Sequence, residues 1–166
     1  MRRLLVLATI AALATGAAEA AFAQVPVLLR TPGAQAFELE NGFGRAVVTG
    51  KGAVLITVGR GRIRVVDLPG IGRPNLSRRC RARAHRVSRT TLELRGRGLG
   101  CVVWTGKNGG RWQVITRGRR IDASGNVRGS LTLDAVDEGR TGRYRIGAGG
   151  WQRWPREVQT YGLNRK

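Results

Sequence analysis

Apolar and polar residues alternate with a period of two through most of the chain after residue 35. Val54, Ile56 and Val58 occupy alternate positions of one such run, and Leu92 and Leu94 do the same further along. This alternation is typical of β-strands, in which successive side chains point to opposite faces. The runs are short, they recur between glycine-rich segments, and no stretch sustains a helical period. The pattern predicts an all-β fold of about ten to twelve short strands, either an antiparallel β-sandwich or a flattened barrel.

Glycine-containing motifs separate the predicted strands. Asn41-Gly42 is a hairpin signal, and further strand junctions are predicted at residues 50–52 and 59–61. An Arg-Gly-Arg tripeptide occurs three times where one predicted strand ends and another begins, and the unequal spacing of the three does not support a repeat architecture. We therefore interpret these tripeptides as turns: Arg60-Gly61-Arg62, Arg95-Gly96-Arg97 and Arg117-Gly118-Arg119.

The first 23 residues have the pattern of a cleaved signal peptide. Arg2 and Arg3 precede an apolar stretch over residues 4–18, and Ala21-Phe22-Ala23 predicts cleavage before Gln24. The apolar stretch is shorter than the roughly 20 residues that span a bilayer, and no later stretch could span one as a helix. We expect an exported protein, in the periplasm, at the cell surface or outside the cell. An extended leader over residues 24–35 and a single β domain over residues 36–166 would follow the signal peptide.

Export changes the interpretation of the two cysteines. In an oxidising compartment an even pair of cysteines most simply forms a disulfide, so Cys80 and Cys101 are predicted to be joined. A redox or nucleophilic thiol is the alternative, but the chain has no Cys-x-x-Cys motif.

The net charge of +20 arises from 30 Lys+Arg against 10 Asp+Glu, and only three of the basic residues are lysines. A preference for Arg over Lys is typical of GC-rich genomes, but it does not account for the shortage of acidic residues. Loss of the signal peptide would lower the charge only to +19. Arginines occupy alternate positions of predicted strands, including a strand predicted over residues 79–87. This placement predicts one buried face and one arginine-bearing face. We expect the binding residues on that face to be Arg62, Arg64, Arg81, Arg83, Arg143 and Arg145.

Two tryptophans near the carboxyl end are candidates for stacking on a ligand. Trp151 and Trp154 flank Gln152 and Arg153, and aromatic rings interleaved with arginines suit sugars or bases that carry phosphate or sulfate. The alternative is that these large rings close the ends of a glycine-rich core.

The search for catalytic motifs gives few candidates. His85 is the only histidine, so a Ser-His or Cys-His mechanism would have to use it. The chain has no Gly-x-Ser-x-Gly elbow, Walker loop, dinucleotide fingerprint or His-Glu-x-x-His motif. Two cysteines and one histidine do not suffice for a typical structural zinc site. We therefore expect no catalysis, no metal and no cofactor.

Three features resemble small exported all-β proteins of GC-rich bacteria that lack an assigned function. They are the Gly-Arg-Gly strand junctions, residues 110–114 leading into 117–122, and the closing segment 150–155. The resemblance implies an all-β fold and offers no activity, substrate or site.

The leading hypothesis is a non-catalytic envelope or surface protein that binds anionic polymers or lipid headgroups through its arginine-bearing face. The second is a structural or protein-interaction module, whose basic face meets an acidic protein. The third is a hydrolase that uses His85. Nucleic acid is a minor candidate partner, because the chain is predicted to leave the cytoplasm.

Overall fold

The computed structural model describes residues 31–68, 74–106, 109–134 and 142–164. Most of these residues lie in antiparallel β-strands, so the all-β prediction is confirmed. The predicted signal peptide and most of the predicted leader lie outside the described residues. No helix in the described part of the chain is long and apolar enough to cross a membrane.

The described residues form one sheet of eight strands and one short helix. In chain order the elements are β1 (Gln35–Asp67), β2 (Asn75–Leu76), α1 (Arg78–Arg83), β3 (His85–Ser88), β4 (Thr91–Trp104), β5 (Trp112–Asp134), β6 (Arg143–Ile146), β7 (Gln152–Arg153) and β8 (Gln159–Leu163). The predicted number of ten to twelve short strands is not reproduced, because β1 and β5 continue through glycines at which the sequence predicted turns. A strand can bend and continue at a glycine, since glycine adopts backbone angles that other residues avoid.

The two longest strands, β1 and β5, are paired with each other along both of their edges. Val48 lies opposite Val114 in one ladder and opposite Leu131 in the other. Residues 45–50 therefore lie between two segments of β5, and residues 112–117 lie between two segments of β1. This double pairing brings distant parts of the sequence side by side.

The other strands extend this central pair. β4 pairs with the second half of β1, and β8 pairs with the end of β5. The sheet has the order β2-β4-β1-β5-β8, with β3 added to β4, β6 added to β1 and β7 added to β6. As described, this sheet is open.

The core is formed by the apolar members of the alternating runs. Val54, Ile56 and Val58 are buried, as predicted, and so is Leu94. Burial of a side chain of this size stabilises the folded state by roughly 1.5–3 kcal/mol. The largest fully buried side chain is that of Trp112, at the start of β5.

The predicted disulfide is confirmed, but one predicted strand is wrong. Cys80 is joined to Cys101, with a Cα–Cα distance of 4.7 Å. Cys80 lies in helix α1, whereas the sequence predicted a strand over residues 79–87. Arginine and alanine alternate there and match a period of two, yet both residues have high helix propensity, and only Cys80 of the six helical residues is buried. Strand structure begins at His85, in β3.

Candidate functional site

The three Arg-Gly-Arg tripeptides lie side by side on adjacent strands. Gly61 lies opposite Gly118 on one side and opposite Gly96 on the other. Gly118 in turn lies opposite Gly44, in the first part of β1. The interpretation of the tripeptides as turns is therefore wrong, since each lies within a strand. We call these four aligned residues the glycine row.

Arginines flank the glycine row on both sides. In an ordinary strand residues two apart share a face, so both arginines of each tripeptide lie on the same side of the sheet. The register aligns them across the strands into two rows. The first is Arg45, Arg117, Arg62 and Arg95, and the second is Phe43, Arg119, Arg60 and Arg97. We call the two arginine rows and the glycine row together the arginine–glycine patch.

The strands turn over two residues away from the glycine row, beyond the tripeptides. In β1 Val58 is buried before the crossing and Ile63 after it, and in β4 Leu94 and Leu99 are buried in the same way. Each of these two pairs is five positions apart, an odd number, whereas side chains on one face of a regular strand are an even number apart. The reversal coincides with the left-handed residues Gly98 and Arg120, whose φ values are +55° and +52°. Both arginines of a tripeptide therefore keep one face, and the residues beyond them face the core.

Glycine is required at the centre of the patch for two reasons. Gly61 and Gly118 have φ values of +155° and +156°, which L side chains rarely adopt. A Cβ on Gly61 would overlap the carbonyl oxygen of Arg117, and a Cβ on Gly118 would overlap that of Arg60. The absence of side chains along this line allows the strands to approach each other closely.

The patch has little compensating negative charge. Six of its seven arginines are exposed and Arg62 is half-buried. Within the described part of the chain, Arg95 is the only one of the seven that forms an ion pair. Like charges directly opposite each other on neighbouring strands are destabilising, so this arrangement weakens the fold unless an anion is bound.

An open pocket lies at the centre of the patch. Its volume is about 390 Å³ and its lining is made of three glycines, three arginines and Phe43. The guanidinium carbon of Arg119 lies 5.5 Å from the centre of the Phe43 ring, within the range of a cation–π contact. This contact holds one arginine over the end of the pocket.

A buried carboxylate lies beside the patch. Glu93 is fully buried and accepts hydrogen bonds from Arg64 and Arg95, which flank it on the same face of the sheet. Burial acts to raise the pKa of Glu93, but the hydrogen bonds and charges of the two arginines outweigh it, and the pKa lies below its usual value. Arg64, a predicted binding residue, is therefore held by an internal carboxylate.

Two of the six predicted binding arginines, Arg143 and Arg145, cluster around Trp151. Arg143 is hydrogen-bonded to Glu40, and Arg145 donates to Glu38 at 2.6 Å. The guanidinium carbons of the two arginines lie 5.0 and 4.9 Å from the Trp151 ring centre. The hydrogen bond to Glu38 raises the pKa of Arg145. Trp151 and the two arginines therefore lie together, but both guanidinium groups already bind carboxylates of this protein.

The other predicted residues are distributed between the core, the helix and the patch. Trp154 is 7% exposed and packs over Gly42, where any Cβ would overlap the indole ring, so this ring contributes to the core. Arg81 lies on α1 rather than on a strand. Arg83 also lies on α1, and it donates to the carbonyl oxygens of Gly98 and Arg97, at the β4 end of the patch. Of the six predicted arginines, Arg62 lies in the patch and Arg83 at its end.

His85 is exposed and lies beside the buried carboxylate of Glu93. Its side chain is 58% exposed, and its Nε2 atom lies 3.7 Å from the Oε1 atom of Glu93, which is already engaged by two arginines. Among the residues that the structure describes, no cluster of three or more His, Cys, Asp or Glu side chains could hold a metal ion.

The repeated Arg-Gly-Arg tripeptide is the sequence signal for the patch. Three copies of one tripeptide in three predicted strand regions mark positions that can align in a sheet, but only the register shows that they do align.

No protein-family model, curated protein or solved structure matches this chain. The candidate site therefore rests on the geometry of the patch alone.

Proposed function

We propose that this chain is an exported, non-catalytic protein that binds anionic polymers through the arginine–glycine patch. The observation that carries the proposal is the alignment of seven arginines on four adjacent strand segments, with one ion pair among them in the described residues. A planar guanidinium suits phosphate and carboxylate because it can donate two parallel hydrogen bonds. Several such groups on a rigid sheet favour a ligand that presents several anionic groups at once.

The location of the patch within strands supports a binding role. Groups on regular elements are held more rigidly than groups on loops, and less conformational entropy is lost when a ligand immobilises them. The Cys80–Cys101 disulfide is consistent with the oxidising compartments of the cell envelope. Anionic envelope polymers are therefore the proposed partners, with lipid headgroups and an acidic protein as competing ones.

Salt-gradient elution from an immobilised polyphosphate column tests this proposal. A variant with Arg60→Gln, Arg62→Gln and Arg117→Gln removes three central charges of the patch. A matched control with Arg79→Gln, Arg153→Gln and Arg156→Gln removes three exposed charges elsewhere and has the same net charge.

We expect the patch variant to elute at clearly lower salt than the wild type, and the control to elute close to it. Equal shifts for the two variants would mean that retention follows net charge and would refute a specific site. If the wild type is not retained by the column even at low salt, polyanion binding itself is refuted.

A further inference from the structure

The positive charge of the patch extends across the strands rather than along them. Along β5, Arg117 and Arg119 have no further arginine among their near neighbours on the same face, where residues 113 and 115 are Gln and Ile. Along β1, Arg64 follows Arg62, but it is engaged by Glu93. Across the strands, in contrast, every step of the first row and all but one step of the second meet another arginine; the exception is the step from Arg119 to Phe43.

Strand geometry sets the dimensions of this charge array. Neighbouring strands are about 4.8 Å apart, so the four strand segments of the patch extend over roughly 14 Å. The two arginine rows are two residues apart along each strand, which corresponds to about 7 Å. The open pocket lies between the two rows, over Gly44, Gly118 and Gly61, so this part of the patch has the form of a channel with cationic sides.

A narrow channel selects the shape of the ligand. A single extended polymer can lie between two rows of arginines and receive hydrogen bonds from both, whereas a flat membrane surface meets only the ends of the side chains. Membrane-binding surfaces also present apolar side chains that enter the interface. The exposed large hydrophobic residues in the described part of the chain are Val87 and Val158, and neither is in the patch.

The residue type and the two-sided channel together indicate the anionic group. All seven cations of the patch are arginines, whose forked donors match phosphate and carboxylate alike. In a linear phosphate polymer the charged oxygens lie on the backbone itself, where arginines of both rows can reach them. We propose that one extended chain of phosphate groups, either a polyphosphate or a phosphodiester polymer, lies along the glycine row and runs perpendicular to the strands. This inference rests on the proposed function and adds the shape, direction and chemistry of the ligand.

The orientation can be tested with variants at the two ends of the channel. Arg45 lies at one end and Arg97 at the other, on the outermost strands of the patch. The variant Arg45→Gln/Arg97→Gln keeps the central arginines, and Arg153→Gln/Arg156→Gln is its charge-matched control. Binding to the purified protein is measured by calorimetry with tripolyphosphate, long-chain polyphosphate, single-stranded oligothymidylate and phosphatidylcholine vesicles containing phosphatidylglycerol. Thermal unfolding of each variant confirms that it is folded.

We expect the affinity of the end variant for a long chain to fall by about tenfold or more. A tenfold loss corresponds to about 1.4 kcal/mol of binding free energy. It should lose little for tripolyphosphate, which is short enough to bind at the centre of the patch. The control should bind both probes as the wild type does. Tighter binding of polyphosphate than of oligothymidylate would identify polyphosphate as the source of the phosphate groups, and the reverse would identify a phosphodiester polymer.

Two results would overturn the inference; the first would leave the proposed function intact, and the second would replace the proposed polymer ligand with lipid headgroups. One is an equal loss of affinity for the long and short probes in the end variant, which would show that the chain does not run across the strands. The other is binding to the vesicles with patch-dependent affinity while the linear phosphate probes do not bind. If none of the four probes binds to the wild type, the proposed function fails as well.

Discussion

Gly61 lies directly opposite Gly118 where the two longest strands cross the line of the arginine tripeptides. A side chain at either position would overlap the backbone of the other strand. The pairing fixes the positions of four arginines, because Arg60 is then opposite Arg119 and Arg62 is opposite Arg117. The same glycines that the fold requires therefore determine where the positive charge is concentrated.

Replacing Gly61 by Ala should strongly destabilise the fold. The Cβ would overlap the carbonyl oxygen of Arg117, and the φ value of Gly61 is unfavourable for alanine. We expect the free energy of unfolding to fall by roughly 2–4 kcal/mol, as measured by guanidinium denaturation. Gly162→Ala is the control, because a Cβ at this position in β8 meets no neighbouring atom. It should change the stability by less than about 0.5 kcal/mol, and equal losses would contradict the account.

Replacing Glu93 by Gln should also be costly. The substitution removes the charge that Arg64 and Arg95 share and leaves a buried amide beside two cations. We expect a loss of about 2–3 kcal/mol in urea denaturation. Glu38→Gln breaks the more exposed pair with Arg145 and should cost no more than about 1 kcal/mol. A smaller loss for Glu93→Gln than for Glu38→Gln would contradict the assignment of Glu93 as a buried anchor.

The pH dependence of stability should reveal the same carboxyl group. The folded-state pKa of Glu93 lies below its value in the unfolded chain. Its contribution is therefore fully present above the unfolded-state pKa and is lost as the pH falls through the folded-state pKa. Urea denaturation from neutral to acidic pH should show a steeper loss of stability in the wild type than in Glu93→Gln. Parallel curves for the two proteins would contradict this prediction.

Reduction of the Cys80–Cys101 disulfide should weaken the fold without involving the patch directly. The bond closes a loop with a sequence separation of 21 residues. On the chain-entropy model, such a loop contributes about 3 kcal/mol through the unfolded state. The double variant Cys80→Ala/Cys101→Ala should show this loss in guanidinium denaturation. Reducing agent should produce a similar loss in the wild type and none in the variant; equal sensitivity of both to the agent would contradict the assignment.

Removing one arginine from the patch should stabilise the protein in the absence of ligand. Arg117 lies opposite Arg45 and Arg62, and like charges on adjacent strands repel each other. We expect Arg117→Gln to raise the free energy of unfolding by about 0.2–1 kcal/mol at low salt, and less at high salt, where the repulsion is screened. Arg156→Gln, outside the patch, should have no comparable effect. A loss of stability on removing Arg117 would show that the arginines support the fold rather than a ligand.

The sequence was sufficient to predict the all-β class, the disulfide and several core positions, but not the number of strands. Val54, Ile56 and Val58 alternate clearly, and local alternation is the information that decides which face of a strand is buried. The alternation of arginine with small residues around Cys80 gave the wrong element, because a period of two over a few residues does not exclude a helical turn.

The patch could not be predicted, because it depends on register between distant segments. Nothing local in the sequence states that Gly61 faces both Gly96 and Gly118. A shift of one residue in either ladder would separate the tripeptides and send the side chains of a strand to the other face. The burial of Glu93 could not be predicted for the same reason, because its partner Arg64 lies on a neighbouring strand.

The salt dependence of long-chain polyphosphate binding tests the central claim most directly. The logarithm of the binding constant falls with the logarithm of the salt concentration, with a slope near −0.7 per neutralised charge for single-stranded nucleic acids. We expect a similar slope for linear polyphosphate. Six of the seven patch arginines form no ion pair with the residues that the structure describes, and six neutralised charges predict a slope of about −4. The variant with Arg60→Gln, Arg62→Gln and Arg117→Gln should reduce its steepness by about 2. The control with Arg79→Gln, Arg153→Gln and Arg156→Gln should keep the wild-type slope. Identical slopes for the two variants would contradict the claim that the aligned arginines form the binding site.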